Sequence, residues 1–261
     1  MSSIDVPLVR GRFGQTARQD NWWLMPLVTF LVFSTFIVYS TWAAFQGDFY
    51  RTGPYLSPFY SPELFGDPVH AWFGAMPLWI PAWLPVTPAL LVLWAPGGFR
   101  FTCYYYRGAY YKAFWADPIS CTVGEPRKKY RGEGSFPLIL QNVHRYFMYI
   151  AVVFWCLLAH DVWKAFWFQS GFGIGVGTLV LLTNVILLGG YLFGCHSLRH
   201  LVGGFLDQFS KSPVCRKAHD CVTCLNQRHM KFAWLSLFSV GFADLYVRLC
   251  AMQIWTDWRI L

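Results

Sequence analysis

The chain has 261 residues, 56% of them hydrophobic, 20% aromatic and only 13% charged, where soluble domains carry roughly a quarter charged residues. That deficit excludes an ordinary soluble domain and points to a polytopic membrane protein. The net charge of +8 does not mark a nucleic-acid binder, because Arg and Lys crowd into the N-terminal segment and two loops, as the positive-inside rule requires of cytoplasmic segments.

The expected fold class is an all-α integral membrane protein, a single membrane domain over 1–261. It has five transmembrane helices, N-terminus in and C-terminus out, plus an interfacial helix. The spans are placed at about 21–45, 77–95, 138–168, 174–204 and 232–255, with cytoplasmic loops at 97–136 and 205–231. The first twenty residues are polar, with Arg10, Arg12 and Arg18 and no apolar core, so no cleavable signal is expected and the first apolar segment acts as an uncleaved span. Trp22 and Trp23 anchor that span at an interface. A loop rich in Pro and aromatic residues follows, read as folded over the outer surface. The second span is broken by Pro81, Pro85 and Pro88, so a kinked or partly irregular crossing is expected, covered by other helices.

In the first basic loop, 102–115 reads as an aromatic helix lying in the interface, ended by Asp117-Pro118 and followed by Cys121. The third span carries His144 and Arg145 near its start and His160, Asp161 and Lys164 in its other half. The last three could form a proton path, but an outer polar cluster is the better reading. The fourth span ends in the run from Gly194 to Gly204, where Cys195, His196 and His200 flank Arg199. His196 and His200 are four apart and share one face of a helix. In the fifth span Asp244 and Arg248 are spaced to form a structural ion pair.

This topology brings Cys103, Cys121, His144, His196 and His200 to the inner edge of the bilayer. Two cysteines and two histidines suit zinc or a Rieske-type [2Fe–2S] centre, and two histidines from facing helices suit a haem. Histidines bonded to carbonyls and lipid headgroups are the bland alternative. Cys215, His219, Cys221 and Cys224 form a weaker competing zinc cluster in the second basic loop. Eight cysteines spread along a chain with cytoplasmic loops favour a metal role for some over a disulfide framework. Cys156 and Cys250 read as helix-packing residues, and His70 and His229 as surface groups.

At Thr102-Cys103-Tyr104-Tyr105-Tyr106-Arg107, Ile119-Ser120-Cys121, Asn142 to Phe147 and Gly194 to His200, the sequence resembles the membrane-anchor subunit of bacterial succinate dehydrogenase, respiratory complex II. The likeness is to the class with a single five-span anchor and covers about 95–205. It implies a multi-pass protein of the bacterial inner (cytoplasmic) membrane, not itself the site of succinate oxidation. It also implies a flavoprotein partner, an iron–sulfur partner docked on the cytoplasmic face, and a higher oligomer of the complex as an option. Further, it implies reduction of a quinone, menaquinone or ubiquinone, through a Rieske-type [2Fe–2S] centre in place of the b haem of relatives. From position, the ligands are expected among Cys103, Cys121, His196 and His144 or His200, with Cys195 in reserve. Tyr106, Arg145, Tyr146 and Arg199 lie at the depth expected for quinone contacts, though each also suits an interface role. A haem-binding anchor, a small transporter and a metal-binding assembly factor remain as alternatives.

Overall fold

Long apolar runs bounded by Trp, Pro and Gly become helices. A computed structural model describes every residue except 1–11, 68–69, 79, 82–85, 117, 127–133, 135, 137, 205–207 and 209–210. Pro85, Asp117 and the basic run Arg127, Lys128, Lys129 and Arg131 fall outside the described residues. In order the elements are α1 (Leu24–Gln46), β1 (Arg51–Thr52), β2 (Tyr55–Leu56), α2 (Pro88–Val92), α3 (Trp94–Thr102), α4 (Tyr104–Tyr110), α5 (His144–Lys164), β3 (Trp167–Phe168), β4 (Gly171–Phe172), α6 (Val176–Phe193), α7 (His196–Gly203), α8 (Pro213–Gln227) and α9 (His229–Ala251). A π-helical turn, Tyr111–Trp115, prolongs α4, and a 3-10 turn, Leu138–Val143, leads into α5. The strands form two small antiparallel hairpins, β1–β2 and β3–β4.

Among the described residues, four helices are long and apolar enough to cross a membrane: Leu24–Gln46, Ile139–Lys164, Val176–Phe193 and His229–Ala251. Their outward faces carry large apolar side chains, with Val153 58%, Ile186 61% and Phe238 56% exposed, which suits lipid rather than water. The segment 77–95 is not among the four. Prolines cannot donate to a helical ladder, and among the described residues of this segment helix begins where Pro88 takes the first-turn position behind the Thr87 cap. The fourth apolar run also ends earlier than 204: α6 stops at Phe193, and Cys195, in extended conformation, caps a separate α7. The expected loop 205–231 contains a 15-residue helix, α8, opened by Pro213. In the aromatic stretch, helix runs from Tyr104 through the π turn to Ala116, which is left-handed.

The chain divides into two compact units, Met1–Ile37 with Thr102–Gln141, and Val38–Phe101 with Asn142–Leu261. In the first, the segment before α1 is strapped to the segment after the π turn. Gly14 and Gly124 exchange backbone bonds with Gly124 and Gln15 at 3.0 and 2.9 Å, and Arg18 donates to Ser120 Oγ at 2.8 Å and to the Cys121 carbonyl at 3.1 Å. Phe33 meets Tyr106 edge-on at 5.4 Å, and Phe30 meets Phe114 at 4.9 Å.

In the second unit α6 is the central helix, packed on α5 and α9. Its apolar core joins Tyr55, Val162, Ala165, Leu181, Val185, Ala243 and Val247. Small residues let the helices approach: a Cβ on Gly190 would lie 2.4 Å from the Phe232 ring, and one on Gly98 would lie 2.2 Å from that of Phe147. One end of this unit, the loop end, is closed by residues 47–66. There Asp244 and Arg248, 0% and 1% exposed, pair on α9 as their spacing predicts. Asp244 also accepts from Tyr39 Oη at 2.6 Å and from Ser57, while Arg248 donates to the Asp48 carbonyl at 2.8 Å. Glu63, 2% exposed, is held by Tyr50 Oη and Arg51 at 2.8 and 2.7 Å. Asp161 accepts from Ser61 in the same closure, so this part of the His160–Asp161–Lys164 group belongs to a structural network.

Candidate functional site

The opposite end of the second unit gathers Phe99 and Arg100 of α3, His144 at the start of α5, Tyr191 of α6, Cys195 at the α6–α7 junction and His229 at the start of α9. Each histidine opens an apolar helix, so helix geometry points both into the end of the bundle. His144 is 3% and Cys195 2% exposed, and His144 Nε2 lies 3.1 Å from Cys195 Sγ. The His144 ring stacks on Phe99 at 4.8 Å with planes 12° apart. Tyr191 meets Phe99 edge-on at 5.3 Å and stacks on His229 at 5.0 Å. His229 is half-buried, with its Nδ1 shielded from solvent. Arg100 lies over the Tyr191 ring at 4.7 Å and donates to the Ala233 carbonyl at 3.3 Å and Ser236 Oγ at 2.9 Å. The result is an imidazole–thiol contact inside an aromatic clamp, with one guanidinium bracing α3 against α9. A neutral imidazole with a thiol can share a proton, and deprotonated together they can bind a soft or borderline metal.

The residues expected from sequence are distributed differently. His144 and Cys195 meet as described. His196 and His200 are exposed on α7, with Nε2 atoms 2.9 Å apart. In the first unit, Cys103 is 2% exposed and caps α4, whereas Cys121 is exposed on the strap held by Arg18. Tyr106 is buried against Phe33 in that unit. Arg145 and Tyr146 are exposed next to His144, and Arg199 is half-buried, donating to Thr223 Oγ1 at 3.1 Å. Cys215, His219, Cys221 and Cys224 lie along α8, where Cys221 and Cys224 are exposed. Among the described residues, no group of three or more His, Cys, Asp or Glu is arranged to hold a metal ion. Cys156 is exposed, which corrects its reading as a packing residue, and Cys250 is buried as expected. His70 lies at the surface.

His229, read from sequence as a surface group, is the main omission, together with Phe99, Arg100 and Tyr191. A usable signal was present. His229 begins the last apolar run just as His144 begins the third, and Tyr191 stands one helical turn before Cys195.

Comparison with known proteins settles the family. The description "actinobacterial succinate dehydrogenase subunit SdhC" matches residues 24–253, nearly the whole chain. The chain belongs to the actinobacterial SdhC family. A solved structure titled "Mycobacterium smegmatis Sdh1 complex in the apo form" contains a chain 42% identical to this SdhC, with a TM-score of 0.84, covering 97% of this chain and 96% of that one. No curated protein matches. This SdhC is therefore a membrane subunit of succinate dehydrogenase, non-catalytic for succinate itself, whose partners are the flavoprotein and iron–sulfur subunits of the complex. Membership removes the transporter and assembly-factor alternatives.

Proposed function

We propose that this SdhC is the electron-exit subunit of a succinate:quinone oxidoreductase in the bacterial cytoplasmic membrane, and that electrons leave through the histidine end of its second unit. The observation that carries the reading is the buried contact of His144 with Cys195 inside the Phe99–Tyr191 clamp. His144, His229 and Cys195 match in kind the mixed imidazole and thiolate donors of a Rieske-type [2Fe–2S] centre. Bound there, such a centre supplies a one-electron relay whose potential is raised by its two imidazoles.

The chain's own residues prepare that chemistry. Phe99 and Tyr191 fix the imidazole planes and exclude water. Ligation needs Cys195 as thiolate and each imidazole unprotonated at its ligating nitrogen. Arg145 and Tyr146, exposed beside His144, are the proposed donors to quinone oxygens, with Arg199 a positioning residue tethered to Thr223. Two histidines alone also suit a b haem, but a thiol against His144 favours the mixed centre. His196, His200 and Cys121 leave the ligand set because each is exposed.

Five crossings remain the proposed topology, with α2 and α3 together as the second. Thr87, before α2, donates to the Ala44 carbonyl at the loop end, and Arg100, near the end of α3, bonds Ala233 and Ser236 at the histidine end. Residues 88–102 rise about 22 Å at 1.5 Å per residue, against a hydrocarbon core of about 30 Å. The N-terminus and histidine end face the cytoplasm and the loop end faces outward. The cytoplasmic assignment rests on Arg145, Arg199, Arg216, Lys217, Arg228 and Lys231. The aromatic helix α4 is the proposed interfacial helix.

The test is an activity split in the purified complex. Cys195→Ser is expected to leave succinate oxidation by an artificial dye intact and to abolish most quinone reduction, because only the membrane exit is cut. His196→Ala with His200→Ala is expected to keep both. Full quinone reduction by Cys195→Ser sinks the proposal.

A further inference from the structure

The site just proposed leaves His196 and His200 without a role. They lie on the exposed face of α7, where the i, i+4 spacing brings both rings to one side of the helix. Their Nε2 atoms are 2.9 Å apart, and their ring planes cross at 87° with centroids 4.4 Å apart. Two metal–imidazole bonds of about 2.0–2.1 Å meeting near a right angle span roughly 2.9 Å between nitrogens. We propose that His196 and His200 form a bidentate site for one divalent transition-metal cation of the nickel(II) or copper(II) class.

Several features agree. A right angle between ligands is that of adjacent positions in tetragonal geometry, which copper(II) and nickel(II) adopt with nitrogen and oxygen donors, whereas a tetrahedral ion needs a wider nitrogen separation. Both rings are exposed, so a cation enters without unfolding anything and water fills its other positions. Arg199, the cation nearest in sequence, donates to Thr223 Oγ1. The helix dipole opposes a cation at His196, in the first turn, and favours one at His200, in the last, so the two effects largely offset. This site adjoins the His144–Cys195 pair, since His196 directly follows Cys195 in the chain, but uses neither of those residues.

The test is isothermal titration of untagged, detergent-purified complex with nickel(II) alone. Wild type is expected to bind one nickel saturably through α7 in each copy. His196→Ala or His200→Ala should weaken that binding at least about tenfold, and the double variant should remove it. His219→Ala, on α8, should bind as wild type does and controls for the other His- and Cys-bearing helix. Unchanged dye-linked succinate oxidation in each variant shows that the complex is intact. Absence of a saturable site in wild type, equal binding by the double variant, or loss of the site in His219→Ala each overturns the proposal.

Discussion

At the residue scale, Cys195 and Asp244 mark the two ends of the second unit and the two ways in which polar groups survive there. Asp244 is fully buried and accepts from Tyr39, Ser57 and Arg248. Replacing it by Asn leaves Arg248 buried without its counter-charge, a change that costs about 3–5 kcal/mol. Thermal unfolding of the complex in detergent should show a clear fall in stability for Asp244→Asn. Joint replacement of Asp244 and Arg248 by apolar residues should be milder. His196 gives a pH prediction. Its imidazole is held below the ordinary value, so as pH falls below about 6.5 the unfolded chain takes up a proton before the folded one does. Its contribution to stability is full above that pH and is lost on acidification. His196→Ala should flatten the pH dependence of the melting temperature just below pH 6.5, and an unchanged slope counts against that reading. The Asp244–Arg248 pair was legible from i, i+4 spacing alone. His229 was not, because a histidine beside Arg228 reads as surface until the Tyr191 ring is seen stacked on it.

Elements were legible where hydrophobicity was continuous and obscured where proline or glycine interrupted it. The runs behind α1, α5, α6 and α9 are long enough to declare themselves. The region 77–95 is as apolar, but Pro81 and Pro88 deny it a single ladder, and α8 was hidden because charge and cysteine suggested a loop. Glycines decide how these helices meet. At Gly190 an added Cβ runs into Phe232, so Gly190→Leu should separate α6 from α9 and destabilise the unit by about 1–3 kcal/mol, read as a lower melting temperature. Gly124 is less forgiving, because its Cβ would meet the Arg12 carbonyl at 2.1 Å, and backbone cannot swing aside as a ring can. Gly124→Ala should release the strap, seen as faster proteolysis near 12–18 and 120–124.

For the whole molecule, positive charge and the two ends of the second unit make one orientation testable. Trp258, 75% exposed at the loop end, is placed outside. Trp258→Cys, in a chain whose exposed natural cysteines are replaced, should react with an impermeant maleimide in intact cells. Lys128→Cys should react only after permeabilisation, and the reverse pattern inverts the topology. Residues at one predicted depth were sought as a redox site, but depth alone could not separate His144, turned into the bundle, from His196 and His200, turned out of it. That distinction arises where α6 ends at Phe193 and Cys195 starts a new helix, a break that a continuous hydrophobic reading passes over. The most direct measurement is electron paramagnetic resonance on the reduced complex, comparing wild type, His144→Ala and the His196→Ala/His200→Ala double variant. Wild type and the double variant should show a Rieske-like signal with a low average g, and His144→Ala should lack it. A signal that survives His144→Ala but disappears with His196 and His200, or a Soret band with no such signal in wild type, contradicts the assignment of the electron exit to the histidine end.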